Sequence, residues 1–196
     1  MYHIAIKRAM MKTTLQPACG RILVSEPSLT DRFFARSVVL LAEHDEEGSF
    51  GLIINKPSEI RLSQITDEFP GFNPRIYLGG PVKVENLYFI HNKGDNIKGS
   101  MRILDGLYWG GDVNQIKEMI RSKEITEKDI RFFIGYSGWQ PQQLDRELSE
   151  NSWLVLNTSA EEIFRVNTEQ TWRKILISMG EDYAHWVNYP DDPQMN

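Results

Sequence analysis

The sequence predicts an α+β domain with a largely antiparallel sheet. Three observations support this class. Strand-like apolar runs fill most of the first 110 residues, helical spacing dominates afterwards, and residues 37–54 have the pattern of a β-hairpin. A chain of 196 residues fits one domain. We expect residues 1–18 to form a loosely ordered extension, because they show no clean periodicity, and residues 19–196 to form the domain.

Apolar runs bounded by glycine, proline or polar turns predict the strands. In the hairpin, Asp45 and Gly48 occupy the positions that a type I turn prefers. Val38–Leu41 is a continuous apolar run, typical of a strand covered on both faces, so it belongs at the sheet centre. Asn55-Lys56-Pro57 should end the hairpin. The other predicted strands are Arg21–Ser25, Arg75–Leu78, Glu85–His91, Trp153–Leu156 and one interrupted strand, 101–109, with Asp105-Gly106 as turn or bulge.

Capping residues and helical spacing predict the helices. One helix extends from Asp112 to about Ser122, with Gln115 completing a capping box. The longest helix follows the cap Asn167 and ends at Gly180. Shorter helical segments are predicted at Leu62–Phe69 and after Ser159, where Glu162 completes another capping box.

Residues 131–148 combine a strand pattern, two glycines and a helix start. Residues 130–134 are mostly apolar and suit a buried strand. Gly135 and Gly138 permit the backbone conformations of a sharp reversal. Pro141 marks a first helical turn, in which Gln143 can reach back to Gln140. We therefore predict a strand, a tight turn and a helix.

Several residues in loops and turns could carry chemistry. Ser137 lacks the second glycine of a nucleophile elbow, so we interpret it as a hydroxyl that bonds nearby backbone. His44 and His91 are candidate acids or bases, although isolated loop histidines are usually solvated. The glycine pairs 79–80 and 110–111 fit structural turns better than anion-binding nests. No residue spacing indicates a metal site or a cofactor, and we expect neither.

Charge and cysteine content restrict the partners. The net charge is −5, and because the first 20 residues hold three basic and no acidic residues, the remainder carries −8. This balance disfavours nucleic-acid binding. No apolar run is long enough to cross a membrane. Cys19 is the only cysteine, so no intramolecular disulfide can form, and the chain suits a reducing cytoplasm.

Ordered sequence blocks covering nearly everything after residue 18 resemble the AlgH/YqgE family of bacterial proteins. The blocks are Gly20–Leu29, Asp31 with Phe34 and Arg36–Val39, Glu43–Pro57, Tyr77–Val82, Gly110–Asp112, Gly135–Trp139 with Gln143-Leu144, and Asp182–Ala184 with Asn188 and Asp192-Pro193. The resemblance implies a single α+β domain whose bifurcated sheet curls into a pseudo-barrel with helices packed around it. Family members are named for transcriptional regulation, but no helix-turn-helix pattern is present here. The family usually has glycine where this chain has Gln142, which a first helical turn should accommodate.

We expect a non-enzymatic cytoplasmic protein that binds an unknown protein or small molecule and affects regulation indirectly. One alternative is a hydrolase with a pocket around His44 and Trp139. Another is a regulator that binds DNA directly. The candidate binding residues are Asp31, Arg36, His44, Asn55, Tyr136 and Trp139. In the hydrolase hypothesis, Tyr136 and Trp139 line a pocket toward which the side chains of the other four residues converge.

Overall fold

The computed structural model describes residues 15–29, 31–166, 168 and 170–189. The strands are β1 (Ile22–Ser25), β2 (Val38–Asp45), β3 (Gly48–Ile53), β4 (Pro57–Arg61), β5 (Arg75–Leu78), β6 (Val82–His91), β7 (Met101–Leu104), β8 (Leu107–Trp109), β9 (Ile130–Trp139) and β10 (Trp153–Leu156). The α-helices are α1 (Val113–Arg121), α2 (Gln143–Ser149), α3 (Ala160–Arg165), α4 (Gln170–Ser178) and α5 (Ala184–Val187). Short 3-10 helices lie at Leu62–Gln64, Gly94–Asn96 and Glu181–Tyr183.

The strands form one bifurcated sheet in the order β10-β1-β2-β3-β9-β6-β8-β7, with β5 and then β4 branching from β9. The branch arises because β9 uses residues 132–134 to pair with β5 and residues 137–139 to pair with β3. Every pairing among the described strands is antiparallel except that between β5 and β9. The sheet that these strands form is not closed. These features confirm the predicted α+β class and the single domain.

Apolar side chains cover the sheet on both faces. Val38–Leu41 is fully buried, as its continuous apolar run predicts. Helices α4 and α5 bury Trp172, Leu176 and Trp186 against one face. Helix α2 packs on the opposite face through Leu144, and helix α1 packs beside the β5 branch.

Strand β9 corrects the predicted reversal. It continues through both glycines to Trp139, and α2 starts only at Gln143. Gly135 has φ +68° and bends the strand without ending it, and a Cβ there would lie 2.4 Å from the Gly80 carbonyl oxygen. The glycines are therefore required where the chain after β5 crosses β9 closely.

The start of α2 is partly as predicted. The side-chain oxygen of Gln143 accepts a hydrogen bond from the backbone N–H of Gln140 at 3.0 Å, which confirms the predicted contact. Gln142 is not in a helical turn, because it adopts the left-handed conformation with φ +62°. Glycine is favoured at such a position, so the expected accommodation of glutamine was wrong.

The hairpin ends at Ile53, before Asn55-Lys56-Pro57, as predicted. Strand β4, which starts at Pro57, is an additional strand, and it tolerates proline because among the described strands it pairs only with β5. Two further predictions need correction. The helix expected at Leu62–Phe69 is reduced to one 3-10 turn. Residues 101–109 form a two-stranded hairpin.

The helix caps are also largely as predicted. Asp112 caps α1 and Ser159 caps α3. Glu162 completes the capping box of α3, as predicted. Gln115 does not complete the capping box predicted for α1, because its side-chain oxygen accepts a hydrogen bond from the backbone N–H of Lys98. Residues 1–14 and the predicted cap Asn167 lie outside the described residues.

Candidate functional site

Arg36 and Asn55 meet at the start of β2. The side-chain oxygen of Asn55 accepts from the N–H of Val38 at 2.8 Å, and its amide donates to the Arg36 carbonyl at 3.0 Å. Asn55 is fully buried. The Arg36 guanidinium donates to the Tyr189 carbonyl at 2.7 Å and lies over the Trp172 ring. These contacts join the entry to β2 to the C-terminal helices.

Asp31 lies on the exposed connector before β2. Its carboxylate accepts hydrogen bonds from the backbone N–H groups of Phe33 and Phe34 at 2.8 and 3.0 Å. This is an Asx turn, in which the side chain stabilises a local bend. The bend directs Phe34 towards Trp139 and Trp153, with ring centroids 6.1 and 5.5 Å apart.

His44 lies at the opposite end of β2 from Asn55. Val38, which bonds to Asn55, precedes His44 by six residues in the same strand, which corresponds to roughly 20 Å. The pocket of the hydrolase hypothesis, with Arg36 and Asn55 beside His44 and Trp139, is therefore not formed. The physical reason is that the two groups lie at opposite ends of an extended strand.

His44 belongs to a row of side chains across three strands. It pairs with Ser49 on β3, and Ser49 pairs with Trp139 on β9. The Nδ1 atom of His44 is 2.8 Å from the Ser49 hydroxyl. Directly opposed residues in a sheet share a face, so this contact follows from the strand register.

Tyr136 and Trp139 point to opposite faces of the sheet. They are three residues apart in one strand, and side chains alternate between faces. Tyr136 packs on Phe50, with ring centroids 4.9 Å apart, whereas Trp139 packs on Phe34 and Trp153. The two rings therefore do not pack on each other, although both line the cleft described below.

Trp139 is mainly a packing residue. Its side chain is buried, and its indole N–H donates to Glu147 at 2.9 Å. The indole of Trp153 donates to the same carboxylate oxygen at 2.7 Å, and Gln143 donates to the other oxygen at 2.9 Å. Glu147 thus anchors α2 to the sheet.

A cleft of about 340 Å³ lies where the β2–β3 hairpin turns beside the end of β9. We call it the hairpin-end cleft. It is lined by Glu43, Asp45, Glu47, Gly48, Ser49, Phe50, Val82, Tyr136, Gly138, Trp139 and Gln140. Among these described lining residues three are acidic and none is Lys or Arg. The carboxylates and the rings of Phe50 and Tyr136 can accommodate a cation.

The register explains how the cleft forms. Phe50 pairs with Gly138, and a Cβ at Gly138 would lie 2.9 Å from the Tyr136 ring. The absence of a side chain at Gly138 therefore allows that ring to lie over the strand and against Phe50. The sequence analysis assigned Asp45 to the turn and gave the acids around it no role. The four acids among residues 43–47 were the available indication of an acidic surface.

His91 is a buried structural residue, which corrects the expectation of a solvated histidine. Its Nε2 lies 2.9 Å from the Ser100 hydroxyl and 3.2 Å from the Gly110 carbonyl oxygen, while Nδ1 accepts from the N–H of Lys93. Burial lowers the pKa of His91, and the nearby Lys93 lowers it further, against the opposing effect of the Gly110 carbonyl. The neutral ring therefore stabilises the loops around β8 through its contacts with Lys93, Ser100 and Gly110.

The described residues, 15–29, 31–166, 168 and 170–189, contain neither an evident metal site nor a membrane-spanning helix. Within them, no group of three or more His, Cys, Asp or Glu side chains has an arrangement able to hold a metal ion. No helix in the same part of the chain has the length and apolar character needed to cross a membrane.

Sequence comparison finds close relatives among bacterial proteins. A protein named UPF0301 from Cytophaga hutchinsonii is 42% identical over 178 residues, covering 90% of this chain and 98% of the relative. A UPF0301 protein from Bacteroides thetaiotaomicron is 42% identical over 181 residues, covering 92% of each chain.

Solved structures agree with the fold. The solution structure of AlgH from Pseudomonas aeruginosa matches with a TM-score of 0.68 and 26% identity, covering 90% of this chain and 98% of that one. A crystal structure of a Corynebacterium diphtheriae protein matches with a TM-score of 0.75 and 23% identity, covering 94% and 97%. The family model described as AlgH-like matches residues 22–184. The chain belongs to the AlgH-like family.

Proposed function

We propose that the protein is a non-enzymatic binding protein that holds a cationic group of a protein partner, such as a Lys or Arg side chain, in the hairpin-end cleft. The observation that carries this proposal is the lining of three carboxylates beside two aromatic rings. Carboxylates attract a cation, and the faces of Phe50 and Tyr136 add a cation–π contribution. A regulatory effect would follow from this protein contact, without direct reading of DNA.

The state of the candidate nucleophiles supports binding over catalysis. Ser137 is buried and donates to the Gly79 carbonyl at 3.1 Å. Partial burial and the carboxylate of Glu43 raise the pKa of the Cys19 thiol, which disfavours the reactive thiolate. We place the function in the cytoplasm because a single free cysteine suits a reducing compartment.

The test is an NMR titration of the ¹⁵N-labelled protein with N-acetyl-arginine amide. The neutral analogue N-acetyl-citrulline amide has nearly the same shape and serves as the ligand control. We expect saturable shifts of the Gly48, Phe50 and Gly138 amides with the arginine compound only. Equal shifts with both compounds would show that charge does not select the ligand.

A variant with the cleft carboxylates neutralised, Glu43→Gln/Asp45→Asn/Glu47→Gln, should lose these shifts. The matched control is Glu59→Gln/Asp67→Asn/Glu118→Gln, which removes three exposed charges outside the cleft. It should bind as the wild type does, apart from a small general charge effect. Similar losses in both variants would contradict a local site.

A second candidate function is a hydrolase that uses Ser49 and His44, favoured by the 2.8 Å contact between their hydroxyl and imidazole. Among the described residues no group bonds to Nε2 of His44 to orient the ring. The test is hydrolysis of p-nitrophenyl acetate. Turnover that disappears in both His44→Ala and Ser49→Ala would replace the binding proposal with this one.

A further inference from the structure

Arg131 is a buried charge in an apolar strand. It is 7% exposed, and its neighbours Ile130 and Phe132 are buried. Its guanidinium donates to the carbonyls of Ile54 at 3.4 Å and Phe164 at 3.1 Å. Among the described residues no carboxylate lies within ion-pair distance of it. Because arginine stays protonated in proteins, the charge lacks a counter-charge in this part of the chain.

Aromatic rings hold the guanidinium in place. Its central carbon lies 4.5 Å from the centroid of Tyr77 and 5.9 Å from that of Phe164. Burial lowers the pKa of Arg131, although the nearby Tyr77 opposes this effect. The rings and carbonyls orient the group, but they carry no full negative charge. A buried charge without an ionic partner is costly, so an anion from solution would be stabilising here.

Arg131 lines a cavity of about 640 Å³ between the start of β9, strand β5 and helix α3. We call it the Arg131 cavity. Its volume lies within the range of about 300–1,000 Å³ found for small-molecule sites. Its ionic lining residues are the basic Arg75, Lys128, Arg131 and Arg165 and the acidic Glu127 and Glu161. Glu161 forms an ion pair with Arg165. The lining is therefore net positive, in a chain of net charge −5.

We propose that the Arg131 cavity binds a small organic oxyanion, with a carboxylate or phosphate group on Arg131 and an apolar body against Tyr77 and Phe164. Two of the five N–H donors of the guanidinium are used by the two carbonyls, which leaves donors for the oxyanion. Guanidinium groups match the geometry of both carboxylate and phosphate. The cavity has space for more than an inorganic ion, and its aromatic walls favour an apolar substituent.

This site is separate from the hairpin-end cleft. Arg131 is at the start of β9 and Trp139 at its end, eight residues along the strand, which corresponds to about 25 Å. The two sites also have opposite charge. A negative result at one site therefore does not bear on the proposal for the other site.

The test is an NMR titration of the full-length protein with phenyl phosphate and, separately, with benzoate, at constant ionic strength. Benzyl alcohol is the neutral control, and inorganic phosphate tests whether the apolar body contributes. We expect saturable shifts of the Tyr77 and Phe164 amides and of the Arg131 side-chain N–H with at least one aromatic anion. Comparison of phenyl phosphate with benzoate shows whether the site takes a phosphate or a carboxylate.

Arg131→Met keeps most of the aliphatic stem and removes the charge. We expect it to weaken anion binding about tenfold or more, the usual effect of losing charge-assisted hydrogen bonds. Arg102→Met is the matched control, because Arg102 is exposed and lies outside the cavity. It should change the affinity less than about twofold, as an exposed charge contributes little. If Arg131→Met does not fold, Arg131→Lys replaces it and should also weaken binding, because lysine lacks the planar fork.

Several outcomes would overturn the proposal. Absence of saturable shifts in the wild type with either aromatic anion would leave Arg131 as a purely structural residue. Equal shifts with benzyl alcohol would show that the charge is not recognised. An equal loss in Arg102→Met would indicate a general charge effect. Equal affinities for inorganic phosphate and phenyl phosphate would show that an apolar body does not contribute to binding.

Discussion

Replacing Glu147 by alanine should strongly destabilise the fold. One oxygen of Glu147 accepts from the indoles of both Trp139 and Trp153, which are 5% and 1% exposed. Each N–H left without an acceptor costs about 1–3 kcal/mol, so Glu147→Ala should lower the free energy of unfolding by about 2–6 kcal/mol. At this chain length 1 kcal/mol shifts the melting temperature by about 2–4 °C.

The assay is urea denaturation followed by far-UV circular dichroism. Glu147→Gln is the matched control, because its amide oxygen can still accept the indole hydrogen bonds. It should keep more than half of the stability that Glu147→Ala loses. A loss below about 1 kcal/mol in Glu147→Ala would refute the reasoning, since exposed contacts give values of that size. Equal losses in both variants would show that the negative charge matters and the acceptor does not.

Three further predictions concern the strained turn, the buried histidine and nucleic acid. Gln142→Gly should raise the melting temperature by about 2–4 °C, because it removes the cost of a left-handed glutamine; a decrease in a thermal melt would contradict this. His91 has a lowered pKa, so the unfolded chain takes up the proton first and stability should fall as the pH drops below about 6.5. Thermal melts from about pH 8 to 5 should show this slope weakened in His91→Gln, and an unchanged slope would assign it to other groups. Duplex DNA should not be retained in a gel-shift assay even at low salt, because the chain is acidic; retention with a steep salt dependence would favour direct DNA binding.

Apolar patterning was sufficient for most of the sheet. Val38–Leu41 and the β2–β3 hairpin are as predicted because their burial and turn residues act locally. The pattern was insufficient at β9, where two glycines suggested a reversal. Gly135 instead accommodates the Gly80 carbonyl, a contact between segments 55 residues apart that local reasoning does not include. The pattern also does not predict strand β4 at Pro57, because its place at the edge, where proline is tolerated, depends on the complete strand order.

The candidate sites were harder to predict than the fold. Tyr136 and Trp139 were paired because a turn was assumed, and a continuous strand places them on opposite faces. Arg131 lies within the predicted strand 130–134, where the sequence analysis assigns it no role. A single charge within such a run was the available indication, but its lack of a carboxylate partner among the described residues depends on the packing of β5 and α3.

The central claim is that the hairpin-end cleft binds a cation. Its most direct test is the affinity of N-acetyl-arginine amide for the wild type and for Glu43→Gln/Asp45→Asn/Glu47→Gln, measured by calorimetry at low and high salt. We expect about tenfold tighter binding by the wild type at low salt, with the difference reduced at high salt because the carboxylates are exposed. Equal affinities at low salt would contradict the claim.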